Sequence, residues 1–269
     1  MRYFFHIGYS GTNYSGWQRH PYGLSVQQVL ETSMEQVLKV PVNLIGCGRT
    51  DAGVHASQFY FHVDLEQEWS YDLLYRLNKV LPPDIAVFDI IPMQGQVHAR
   101  YDATLRSYDY FIHTYKNPFL NDISSLYLEP NLHLGNMQAA TELLLKYTDY
   151  RAFCKTPAQY DSTICHISAA QWFVNAQGDK LRFHISANRF LSRMIRIVVG
   201  QLLKVGKGKL SIAEFESYLI SGQTPQMLSA AYPQGLYLSK VTYPYLDLPA
   251  KSGFAALQQG SQDGYWQAV

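Results

Sequence analysis

The 269-residue chain has only three cysteines, Cys47, Cys154 and Cys165, and no two of them stand as a CxxC pair. Such a scattered, odd set excludes a disulfide framework and a four-thiolate zinc site. It reads as free thiols in a reducing compartment. Charge is also sparse, at 16% of residues, with 22 Lys and Arg against 21 Asp and Glu. A net charge of +1 leaves any recognition of phosphate to local clusters rather than to the whole surface. No apolar run reaches membrane-spanning length. The start, MRYFFHIGYSG, has no apolar core ahead of a small-residue cleavage site. The expectation is a soluble, cytoplasmic protein with no membrane partner. A GK[ST] phosphate loop is missing too. One further absence is local: no acidic residue occurs from Lys180 to Lys209.

What is present suffices for a large core, since 47% of residues are hydrophobic. The segment Arg2 to Tyr9 reads as a strand. Ser25 with Gln28 makes a capping box ahead of Val26, Val29, Leu30, Met34 and Val37 at helical spacing. Short strands follow at Val42 to Ile45 and Phe59 to Val63, a helix at Tyr71 to Val80, and a strand at Ile85 to Ile91. That order, β-α-β-β-α-β, is the ferredoxin-like unit. The second half repeats it. Ser107 to Tyr115 is a strand, and Asn136 caps a helix through Leu145. Ala169 to Val174 and Leu181 to Ser186 flank a Gly178-Asp179 turn. Helical periodicity runs from Arg189 to Val205, Ser211 and Glu214 form a second capping box, and Leu236 to Thr242 is a strand. The expected fold is α+β, with two ferredoxin-like halves of antiparallel sheet flanked by helices and a cleft between them. Residues 1–105 form the first half, 106–250 the second, and 251–269 a tail of unknown role.

Two features carry chemistry. GCGRTDAGVHA, Gly46 to Ala56, sets Arg49 and Asp51 among glycines that permit positive φ and close backbone approach. In extended backbone the two side chains share a face. A guanidinium suits phosphate, and a carboxylate beside it stays ionised and fit for nucleophile or base. For the tripeptide alone, an ion-paired turn is the better account. A metal reading of Asp51, His55 and His62 has no supporting spacing. The second feature is the acid-free segment. On the expected helix Arg189, Arg193 and Arg196 share one face, continued by a bare Gly200 and by Lys204. A face of one charge sign there suits a phosphate track, against the alternative of a solvated helix. Twenty-one tyrosines suit base stacking or sheet packing. Tyr108 and Tyr110 in RSYDY, and Tyr14 and Trp17 in the first loop, are open between the two.

Five stretches together resemble the tRNA pseudouridine synthase A family: YSGTNYSGWQ from Tyr9, GRTDAGVHA from Gly48, HARYDATLRSYDY from His98, FLSRMIRIVVG from Phe190 and GLYLSKVTYP from Gly235. They span residues 9 to 244. The resemblance implies isomerisation of uridine to pseudouridine in the tRNA anticodon stem-loop, at positions 38 to 40 of the RNA, without a cofactor or metal and by a homodimer. It implies that Asp51 is the catalytic aspartate and that Arg49 contacts RNA and holds the target nucleotide out of its stack. It implies that Tyr108 stacks on the target base and serves in proton removal, and that Arg196 pairs with the catalytic aspartate. Cys47 stands where many members have alanine, which leaves its role open. Its small size reads as buried packing, and a thiol near Asp51 is also a candidate for oxidation.

Overall fold

The computed structural model describes residues 1–66, 69–129, 131–224, 229–249 and 266–269. The fold is mixed α+β, and the chain divides into two compact units. The first joins Met1–Arg106 to the described residues 237–249. The second joins Ser107–Leu236 to residues 266–269.

In the first unit the order is β1 (Arg2–Tyr9), α1 (Val26–Leu38), β2 (Ile45–Gly46), β3 (His55–Asp64), α2 (Leu73–Val80) and β4 (Ile85–Met93). β1 lies antiparallel to both β3 and β4, and β2 adds to β3. The late strand β9 (Leu236–Thr242) joins this sheet, parallel to β3 through His55↔Tyr237 and Ala56↔Leu238. Alternation along β1 and β3 sorts the rings onto two faces. Phe5 stacks on Phe61 at 4.9 Å, with Phe59 and Trp17 beside them. His6 stacks on Tyr60 at 4.9 Å on the opposite face, where Phe4 meets His62 and Tyr243. Ser25 accepts from the Gln28 amide, so the expected cap starts α1.

The second unit contains β5 (Leu105–His113) from Ser107 on, β6 (Ser125–Leu126), α3 (Leu134–Leu143), β7 (Ile167–Asn175), β8 (Lys180–Ala187), α4 (Met194–Gly206), α5 (Ile212–Ser221) and β10 (Trp266–Ala268). Its strands run in the order β10-β7-β8-β5, and β6 lies parallel to β5. Trp172 and Phe183 pair at 4.9 Å under α3, whose Thr141 accepts from the indole N–H. The Ser211–Glu214 capping box forms as read, and Gly178 makes the expected β7–β8 turn at φ 73°.

Several boundaries differ from the sequence reading, among them β2, which is Ile45–Gly46 rather than Val42–Ile45, and β5, which is Leu105–His113 rather than Ser107–Tyr115. β3 starts at His55 rather than Phe59, because β1 and β9 supply it with partners from distant sequence. α3 starts at Leu134, without a side-chain cap, rather than after Asn136. α4 starts at Met194, not Arg189. Arg193 is left-handed (φ 57°) and cannot continue a right-handed helix. The turn before it bonds instead to the 155–160 loop: Ser192 N–H donates to Tyr160 Oη and Ser192 C=O accepts from Lys155 N–H. The expected tail falls mostly outside the described residues. Its last described part is β10, antiparallel to β7.

Candidate active site

The loop between β2 and β3 presents Arg49 and Asp51 by turning Thr50 inward. Thr50 is buried, Arg49 exposed and Asp51 half-buried. The Thr50 hydroxyl lies 2.9 Å from Tyr9 Oη, and its carbonyl accepts from Trp17 N–H at 3.2 Å. Gly53 N–H donates to Tyr14 C=O, and Val54 N–H closes the turn on Asp51 C=O. Asp51 therefore rides on backbone whose bonds are made elsewhere. Of the three loop glycines, Gly53 alone takes a positive φ, 75°. Gly46 serves close packing instead: a Cβ there would meet the Trp17 ring at 2.6 Å. Trp17 and Tyr14 are buried, at 1% and 5% exposure. The Tyr14 hydroxyl donates to Asp84 at 2.5 Å. Both aromatics pin the loop rather than offer a stacking surface.

Arg106 was not picked out by the sequence. Its guanidinium donates to Cys47 C=O at 2.7 Å and 3.3 Å and to Arg100 C=O at 2.8 Å, tying the start of the candidate loop to the chain after His98. Spacing gives no sign of a bond across 59 residues. Cys47 itself is buried, with its Sγ accepting from Tyr60 N–H. Burial pushes its thiol up to about 11, against a smaller opposing pull from the Arg106 charge. A protonated, enclosed thiol is a packing residue rather than an oxidation point.

The metal alternative loses its histidines to structural work. His55 Nδ1 accepts from Gly11 N–H at 3.0 Å while its ring stacks on Tyr237 at 4.4 Å. His62 Nδ1 accepts from Ala99 N–H at 3.1 Å. Among the described residues no three His, Cys, Asp or Glu side chains are grouped to hold a metal ion.

The remaining candidates belong to the second unit. Tyr108 on β5 is buried and packs edge-to-face against Phe190 at 5.2 Å. Its neighbours Ser107 and Asp109 face the other way. Asp109 pairs with Arg182 at 2.7 Å and His184 at 3.0 Å, and Ser107 meets Ser186 at 2.7 Å. Arg196 stands in the first turn of α4, half-buried, with Nε donating to Ala231 C=O at 2.8 Å. Lys204 lies two turns on. Arg189 and Arg193 are not on the helix, so the expected arginine face is broken. Arg189 lies over the Tyr160 ring at 5.9 Å, and Arg193 is exposed. Nor is Gly200 bare: a Cβ there would come 1.9 Å from Ser229 C=O. Asp51 with Arg49 thus belongs to one unit, and Tyr108, Arg189, Arg193, Arg196 and Lys204 belong to the other.

A family model described as tRNA pseudouridine synthase matches residues 141–244. The tRNA pseudouridine synthase A of Porphyromonas gingivalis is 39% identical over 246 residues, covering 90% of this chain and 97% of that one. Those of Azobacteroides pseudotrichonymphae and Parabacteroides distasonis are 40% and 39% identical, each over 90% of this chain and 97% and 96% of their own. The chain belongs to the tRNA pseudouridine synthase A family.

Proposed function

We propose that this protein isomerises uridine to pseudouridine in the anticodon arm of tRNA, at positions 38 to 40, with Asp51 as nucleophile. Family membership supports the reaction and the RNA class. The observation that carries the residue assignment is the loop itself, in which buried Thr50 fixes the backbone while Asp51 and Arg49 stay turned outward.

The reaction breaks the bond between ribose C1′ and uracil N1, turns the base, and joins C5 to C1′. N1 gains a proton as C5 loses one, so atoms and electrons balance without a cofactor. The Asp51 carboxylate meets either C1′ or the uracil ring as nucleophile. Arg196 keeps that carboxylate ionised and oriented. Tyr108 stacks on the uracil and serves in removal of the C5 proton. Extruding the base costs a few kcal/mol. Arg49 holds the extruded nucleotide, while Arg189, Arg193 and Lys204 offset the cost through phosphate contacts. On this reading residues 1–105 and 106–250 each form a ferredoxin-like half, and the enzyme acts as a cytoplasmic homodimer. No helix among the described residues is long and apolar enough to cross a membrane.

The test is a pseudouridine map of tRNA from cells with and without this protein. Loss of pseudouridine at positions 38 to 40 is the expected result. An unchanged map contradicts the proposal.

A further inference from the structure

Arg196 does not stand alone at the start of α4. Its Nε donates to Ala231 C=O at 2.8 Å, and Ala231 N–H donates back to Arg196 C=O at 2.8 Å. One helical turn further on, Gly200 admits Ser229 C=O to a position that any Cβ would occupy, 1.9 Å away. On the far side of the same segment, Tyr110 Oη lies 2.8 Å from Tyr232 C=O and 2.8 Å from Ser125 Oγ. Tyr110 is fully buried. Residues 229–232 are thus fastened to α4 at Gly200 and Arg196, and to β5 at Tyr110.

We infer that residues 229–232 are a strap that positions the Arg196 guanidinium, with Gly200 and Tyr110 as its anchors. This rests on the reading of Arg196 as the partner of the catalytic carboxylate. An arginine side chain samples many rotamers, and its fork acts on a carboxylate only when its plane is set. Holding Nε on a backbone carbonyl sets that plane, and with it the direction in which the two terminal NH2 groups point. The strap carbonyl is accurate only if the strap is. Gly200 fixes its approach to the helix, and the Tyr110 hydroxyl fixes its far end. Neither Gly200 nor Tyr110 has to touch the RNA to affect the rate. They are positioning residues.

The test is a double-mutant cycle read in single turnover on unmodified tRNA. Gly200→Ala displaces the Ser229 carbonyl and is expected to slow pseudouridine formation by about 10- to 100-fold, with tRNA affinity unchanged. Tyr110→Phe removes only the hydroxyl, preserves the core volume, and is expected to slow the same step by a smaller factor. In an Arg196→Lys background, where no guanidinium remains to be positioned, each change is expected to cost less than about 2-fold. Equal losses in both backgrounds, or full rates for Gly200→Ala and Tyr110→Phe beside a slowed Arg196→Lys, overturn the strap alone. A full rate for Arg196→Lys overturns the reading of Arg196 and the strap with it.

Discussion

Thr50 turns inward between Arg49 and Asp51, and its contact with Tyr9 is what leaves two charged neighbours facing out. The same logic decides Cys47. Its carbonyl is held by Arg106 and its buried thiol accepts from Tyr60 N–H, raised to about 11 by burial. Cys154 and Cys165 are buried as well, the latter pushed up to about 12 by burial. N-ethylmaleimide at neutral pH is therefore expected to label none of the three in the folded protein and all three after unfolding, read by mass spectrometry. Labelling of folded Cys47 contradicts this account. His62 sets an acid limit on the fold. Burial, with the Arg2 charge second, lowers it from 6.5 to about 4, while its Nδ1 holds Ala99 N–H. Between those values the unfolded chain binds a proton that the folded chain refuses. Its contribution is thus complete above about pH 6.5 and is lost as pH falls toward 4. His62→Gln keeps an acceptor without a titrating ring. It should reduce the slope of stability against pH in that window by up to about one proton, measured by urea unfolding. An unchanged slope places the acid sensitivity elsewhere.

Elements whose signal is local were legible in the sequence. Strands β1 and β9 match their readings residue for residue, and both Ser caps form where the side chains predict them. Elements whose limits depend on distant partners were not. β3 is lengthened by partners on β1 and β9, and the two-residue β6 has no signal of its own beside β5. The start of α4 was misplaced because helical periodicity passes unbroken through a turn whose amides bond to another loop. The candidate loop was found from its composition. The bonds that steady it, from Arg106, Tyr9 and Trp17, cross 33 residues or more of sequence and left no pattern. Arg193 allows the α4 boundary to be tested. A left-handed non-glycine residue costs about 1 kcal/mol, while glycine adds unfolded-chain freedom of similar size. Arg193→Gly should leave thermal stability nearly unchanged while weakening tRNA binding. A drop in stability of several kcal/mol by calorimetry would mean that Arg193 is helical after all.

At the scale of the whole molecule, a net charge of +1 must coexist with an RNA substrate, so the charges that matter have to be few and placed. The acid-free span from Lys180 to Lys209 supplies Arg189, Arg193, Arg196 and Lys204 from one unit, although not from one helix face. Arg189→Ala or Lys204→Ala is expected to weaken tRNA binding and to lower the log–log salt slope by about 1 each. An unchanged slope in filter binding removes that residue from the phosphate contacts. The central claim rests on Asp51, and Asp51→Ala on undermodified tRNA tests it most directly. The account predicts that tRNA is still bound and that pseudouridine formation is abolished. Undiminished pseudouridine from the Asp51→Ala protein would contradict it.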